Sequence, residues 1–92
     1  MKRIYKIDRI TLKDGTERTD GRYPLRKGCE CSFYHLNEGD VMLLEYSKDN
    51  QGNDKSGYLR TSLVDGVSTH EKYIVVITCN SIYYFEYIRD EK

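Results

Sequence analysis

Tryptophan and alanine are both absent from this chain of 92 residues, and there is a single proline. Alanine is the strongest helix former. No segment carries an i, i+3, i+4, i+7 apolar stripe either, which argues against a helical bundle. Net charge is lacking too, since fifteen Lys and Arg balance fifteen Asp and Glu. A balanced chain makes a poor nonspecific coat for nucleic acid and a poor polybasic membrane anchor. No long apolar run exists. The most apolar stretch, Tyr73 to Ile77, falls far short of the roughly 20 residues of a membrane helix. The basic start, Lys2-Arg3, meets Asp8 and Arg9 before any apolar segment develops. No secretory leader is read there, no membrane partner is expected, and the expected location is cytoplasmic. Three cysteines, an odd number in a reducing compartment, read as free thiols rather than a disulfide framework. The seven glycines fall singly, at turns, so no phosphate-cradling glycine loop is present. The length leaves room for one domain with a thin core.

What the chain does have is nine tyrosines and many β-branched residues, which suit pleated sheets. Ile4 to Leu12 alternates with a break that a bulge near Asp8 would reconcile. Lys13-Asp14-Gly15-Thr16 reads as a type I′ hairpin turn, followed by a polar edge strand over Thr16 to Thr19. Asp20-Gly21 turns again, and Pro24 blocks a central strand. Further strands are expected over Cys31–Leu36, Val41–Tyr46, Tyr58–Val64, Tyr73–Cys79 and Ser81–Ile88, with turns at Asn37–Asp40, Asp65-Gly66 and Cys79–Ser81. Residues 47–57 hold one tyrosine-free, wholly polar segment, read as a mobile loop or as a hairpin tip that lengthens two strands. Residues 89–92 read as a charged tail. The expected fold is all-β: one domain over 1–92, a small antiparallel barrel or sandwich of SH3-like or OB-like type with six or seven short strands.

The last two strands are apolar on both faces: Ile74 and Val76 against Tyr73, Val75 and Ile77, then Ile82, Tyr84 and Ile88 against Tyr83, Phe85 and Tyr87. One face of a small barrel normally meets water. Either the opening hairpin or the long loop covers the second face, or a second copy does, and a homo-oligomer is the favoured expectation.

Four chemistries have candidate residues in this chain. Cys29, Cys31 and His35 have zinc-ligand character, but a Cys-x-Cys pair is tighter than the usual two-to-four-residue ligand spacing. The plainer reading is small buried hydrophobes, with a zinc-binding or thiol protein kept as an alternative. Cys31 with His35, or Ser68 with His70, pairs a nucleophile type with a base, yet no nucleophile-bearing turn accompanies either. No enzyme and no cofactor are expected. Residues 1–27 hold nine Lys and Arg against four acids, a net of +5, and residues 28–54 one Lys against six acids, a net of −5. Arg3, Arg9 and Arg26 are therefore candidates for a nucleic-acid surface, against the plainer reading that the two thirds neutralise each other. Finally, Arg60, Thr61, Asn80, Ser81 and Tyr83 set small polar groups and a cation among apolar strands. They are the candidate ligand-facing cluster, with Arg60 for an anionic group and a tyrosine for a ring. For Asn80 and Ser81 the plainer reading is a capped turn.

The segments Thr61-Ser62-Leu63-Val64-Asp65-Gly66-Val67 and Thr78-Cys79-Asn80-Ser81-Ile82-Tyr83-Tyr84-Phe85 resemble a pattern in short uncharacterised phage and prophage β-proteins. The resemblance covers a small part of the chain and assigns no catalytic residue. It implies a mobile-element protein that blocks host defence by gripping a host protein or sequestering a signalling nucleotide. The resulting expectation is a non-enzymatic binding protein that captures a host protein or an anionic small ligand, with a nucleic-acid-binding barrel as the alternative.

Overall fold

The computed structural model describes residues 2–91, and Met1 and Lys92 lie outside that range. Six strands run in chain order: β1 (Lys2–Thr11), β2 (Glu30–His35), β3 (Val41–Lys48), β4 (Tyr58–Thr69), β5 (Tyr73–Thr78) and β6 (Ile82–Glu91), with one short helix, α1 (Tyr23–Arg26), before β2. Each strand pairs antiparallel with the next, and β1 closes the sheet against β6. The expected all-β barrel is thus present, with six strands. Its order is the sequential one of an up-and-down barrel and not the Greek key of an OB fold.

Inside, alternation decides which residues meet. Ile7, Ile10, Cys31, Met42, Leu44, Val64, Val76 and Phe85 are buried and fill the narrow interior. Tyr5, Phe33, Phe85 and Tyr87 form an edge-to-face chain, with Phe33 4.8 Å from Phe85 and Tyr5 5.1 Å from Phe33. The bulge expected near Asp8 is found: Ile7 pairs with Phe85 and Arg9 with Tyr84, leaving Asp8 unpaired.

Several local expectations need correction. Gly15 takes a positive φ of 93°, but among the described residues none other than glycine does, so the Lys13–Thr16 turn is not type I′, which needs two such residues. Its return segment makes one bridge, Thr11 to Glu17, instead of a strand. Asp65-Gly66 is not a turn: β4 runs through it, and Gly66 has no positive φ. Val64 pairs with Thr78 and Gly66 with Ile77, which makes Asp65 a bulge residue. Residues 47–57 form a hydrogen-bonded hairpin tip. Asp49 Oδ1 accepts the Gln51 and Asn53 amides at 2.8 and 3.0 Å, and Lys55 N–H reaches Ser47 O at 3.1 Å. Arg89, Asp90 and Glu91 are no tail, since they pair with Ile4, Arg3 and Lys2 in β1.

Because neighbouring strands alternate in direction, β1, β3 and β5 finish at the end where β2, β4 and β6 begin. The loop over residues 12–22, α1 and the 49–57 tip all gather at that end. The outer face of β5 and β6 stays open: Tyr73 is 48% and Ile77 37% exposed. β1 lies beside β6 in the sheet rather than across this face. Arg9 over the Tyr84 ring at 4.2 Å and His70 stacked on Tyr73 at 4.2 Å screen parts of it.

Candidate anion-binding pocket

The five residues picked for a ligand cluster do not converge. Asn80, Ser81 and Tyr83 share the β5–β6 turn and the start of β6. Ser81 is buried there, its N–H donating to Thr78 Oγ1 at 3.1 Å while the Thr78 hydroxyl donates to Ser81 O at 3.0 Å. This is the capped turn of the plainer reading. Tyr83 points into the core, where burial pushes its hydroxyl pKa up. Thr61 is spent on the backbone of Met42 and Ser62. Arg60 is exposed on β4 opposite Leu43, and its charge helps hold the Asp40 carboxyl low, behind the larger effect of His35.

The cation at the β5–β6 turn is Arg18. It donates to Ser81 Oγ at 2.8 Å, to Asn80 O at 3.2 Å and to both Asp20 oxygens at 2.8 and 3.1 Å, and lies 3.9 Å over the Tyr23 ring. Four of the five N–H donors of that guanidinium are bonded and one face lies on Tyr23, so it fastens the 12–22 loop to the barrel. Arg26 lies over the same Tyr23 ring at 4.7 Å.

Beyond Tyr23 the barrel mouth opens into a cavity of about 320 Å³. Cys29, Tyr46 and Leu59 line it from the barrel side, Arg22, Leu25 and Arg26 from the helix, and Lys55 and Tyr58 from the tip and the start of β4. Its placement follows from local chemistry. Pro24 sits in the first turn of α1, where a missing N–H costs nothing. Arg26 N–H donates to Arg22 O at 3.2 Å, and that i, i+4 step turns both side chains to one side. Gly28, at φ +90°, reverses the chain into β2, its N–H reaching Ile7 O at 2.7 Å. A Cβ there would meet the Asn50 Cβ at 3.3 Å, so the hairpin tip rests directly on this turn.

The lining holds three cations and no carboxylate. Among the described residues none of Arg22, Arg26 and Lys55 forms an ion pair. Lys55 Nζ lies 4.9 Å over the Tyr46 ring, and burial raises the Tyr46 hydroxyl to about 12. Burial also pushes the Cys29 thiol up; Lys55 offsets part of this and Asp49 adds a smaller raise. Such a thiol is neutral at pH 7, and its Sγ–H donates to Leu25 O at 3.3 Å. Tyr58, 56% exposed, closes the outer side with its ring edge-to-face to Tyr34, centroids 5.6 Å apart. The chemistry this offers is fixed positive charge beside aromatic surface.

The other candidate sites fare differently. Arg3 lies 4.0 Å from Asp90, Arg9 covers Tyr84, and Arg26 lines the cavity. The first two stand six residues apart on one strand, roughly 20 Å, so the three make no single patch. Mutual neutralisation of the basic and acidic thirds is also limited, Lys2–Glu45 at 3.0 Å being the one such ion pair among the described residues. Cys29 and Cys31 are buried while His35 Nε2 sits 2.9 Å from Asp40 Oδ2. No group of three metal-ligating side chains occurs among the described residues. Ser68 Oγ lies 2.7 Å from His70 Nε2 on the surface, and no carboxylate among the described residues bonds that ring. Arg26 is a nucleic-acid candidate of the basic stretch 1–27, which also holds Arg22; the two arginines stand four apart around Tyr23-Pro24, and nothing in the sequence marks Lys55. Comparison with known proteins finds no matching family model, no matching curated protein and no matching solved structure.

Proposed function

We propose that this protein is a non-enzymatic binding protein that captures a small anionic ligand in the barrel-mouth cavity. One observation carries the reading: Arg22, Arg26 and Lys55 line a 320 Å³ cavity that contains no carboxylate, and none of them has an acidic partner among the described residues. Barrel mouths are a common site for small ligands. Like charges gathered without ion-pair partners repel one another, and an anion relieves that repulsion as it binds. Capture asks for shape, hydrogen bonds and charge, and for no activated nucleophile. Of the two forms of host-defence blocking that the phage resemblance implies, gripping a host protein or sequestering a signalling nucleotide, the second belongs to the same proposal.

Isothermal titration with inorganic pyrophosphate tests it. The expected result is one site per chain, with Arg22→Gln and Lys55→Gln each weakening binding by about tenfold, the share of a charge-assisted hydrogen bond. Both side chains are exposed, so the fold is expected to survive. Absence of binding, or equal binding by both variants, overturns the reading. Binding of single-stranded DNA with a steep salt slope that Arg3→Gln and Arg9→Gln flatten would favour the nucleic-acid alternative.

A further inference from the structure

Resting on the anion-capture reading, we infer that the ligand is a phosphorylated compound carrying one planar ring, of the size of a nucleoside mono- or diphosphate. The cavity is divided in kind. Its helix side and tip supply Arg22, Arg26 and Lys55, and its outer side supplies Tyr58 with Tyr34 edge-to-face behind it. Arginine pairs bidentately with phosphate oxygens, and two arginines one helical turn apart suit a phosphate group better than a single carboxylate. An exposed Tyr58 ring held in orientation by a second tyrosine is a stacking surface with little conformational freedom left to lose. Leu25, 66% exposed on α1, supplies a further apolar surface in the same lining. Apolar surface so exposed is costly beside a cationic cluster unless a ligand has both characters.

Size sets the number of rings. About 320 Å³ lies at the lower end of small-molecule cavities, roughly 300–1,000 Å³. One ring and its phosphates fill it. Two nucleosides would leave the second outside, on a surface where no other exposed tyrosine adjoins the lining except Tyr34.

The test compares inorganic pyrophosphate, adenosine 5′-diphosphate and ribose 5-phosphate by titration calorimetry on the full chain. The nucleoside diphosphate is expected to bind about tenfold more tightly than pyrophosphate, the gain that stacking one base on an aromatic ring brings. Tyr58→Ala is expected to narrow the ratio of nucleoside diphosphate to pyrophosphate affinity from about tenfold towards one, while Arg22→Gln weakens both ligands alike. A thermal melt verifies that Tyr58→Ala folds, and Tyr34→Leu, which withdraws the support of Tyr58, serves as a second variant with the same sign. If pyrophosphate binds and the nucleoside diphosphate binds no better, the ring is wrong and anion capture stands. If neither binds, both fall. If ribose 5-phosphate matches the nucleoside diphosphate, the tyrosines do not stack on a base and the inference is overturned.

Discussion

Cys31 and Tyr46 show what burial does to a single titratable group. Burial raises the Cys31 thiol from 9.0 to about 12 and the Tyr46 hydroxyl from 10.0 to about 12. In the unfolded chain these groups ionise near their ordinary values, so between pH 9 and 12 the folded state holds protons that the unfolded state has lost. Stability is therefore intact below pH 9 and falls as pH rises towards 12. Cys31 alone accounts for a loss on the order of 4 kcal/mol across that window. Thermal melts at pH 8, 10 and 11.5 are expected to show a falling midpoint, and Cys31→Val to flatten the fall. The same burial makes the thiols unequal. Cys79 is exposed while Cys29 and Cys31 are buried, so a thiol reagent is expected to titrate one group rapidly in the native protein and three after unfolding. At this scale the sequence was readable for the thiols, because a Cys-x-Cys pair in a strand candidate reads naturally as small buried hydrophobes. It was misleading for Arg60. Register sets Arg60 opposite Leu43, and the 12–22 loop, which no strand alternation describes, brings Arg18 to the β5–β6 turn instead.

Among the elements, β1 carries the most explicit sequence signal. Ile7 and Ile10 are both buried though their spacing breaks a period of two, and Asp8 takes up the extra residue. Deleting Asp8 restores regular alternation, with Ile7 and Ile10 still inward. Deleting Lys6 sets Tyr5 beside Ile7 and turns one of them to solvent. The Asp8 deletion is expected to unfold cooperatively near the parent's midpoint, and the Lys6 deletion to lose several degrees or fold poorly. Equal effects would remove the bulge from this account. The helix α1 was not foreseen for a physical reason: four residues are too few to show a 3.6-residue period, and Pro24 reads equally as a strand breaker and as a first-turn residue. Asp65-Gly66 illustrates a second ambiguity, since the same dipeptide serves a hairpin turn and a bulge, and only the φ of the glycine separates them.

For the whole molecule the decisive feature is uneven closure. β1 pairs with β6 at nine positions but with β2 at only two, Tyr5 with Cys31 and Lys6 with Glu30. The β1–β2 seam is the line along which the barrel opens most readily. Hydrogen exchange is expected to be at least roughly tenfold faster at Ile7 and Gly28, whose amides bridge that seam, than at Val76 and Phe85 in the β5–β6 pair. Since Gly28 joins α1 to β2, pyrophosphate in the cavity is expected to slow exchange at Gly28. An unchanged rate would separate the cavity from the seam. Closure itself was not legible in the alternation, because a strand's pattern states which face is buried and not which distant strand lies alongside. The pairing of β1 with β6 has a consequence during synthesis. β1 is made before four intervening strands and then β6, its principal neighbour, a wait on the order of ten seconds. Until then Ile4, Ile7 and Ile10 have no lasting shelter, so a nascent chain of this protein is a natural client for chaperones that shield apolar segments.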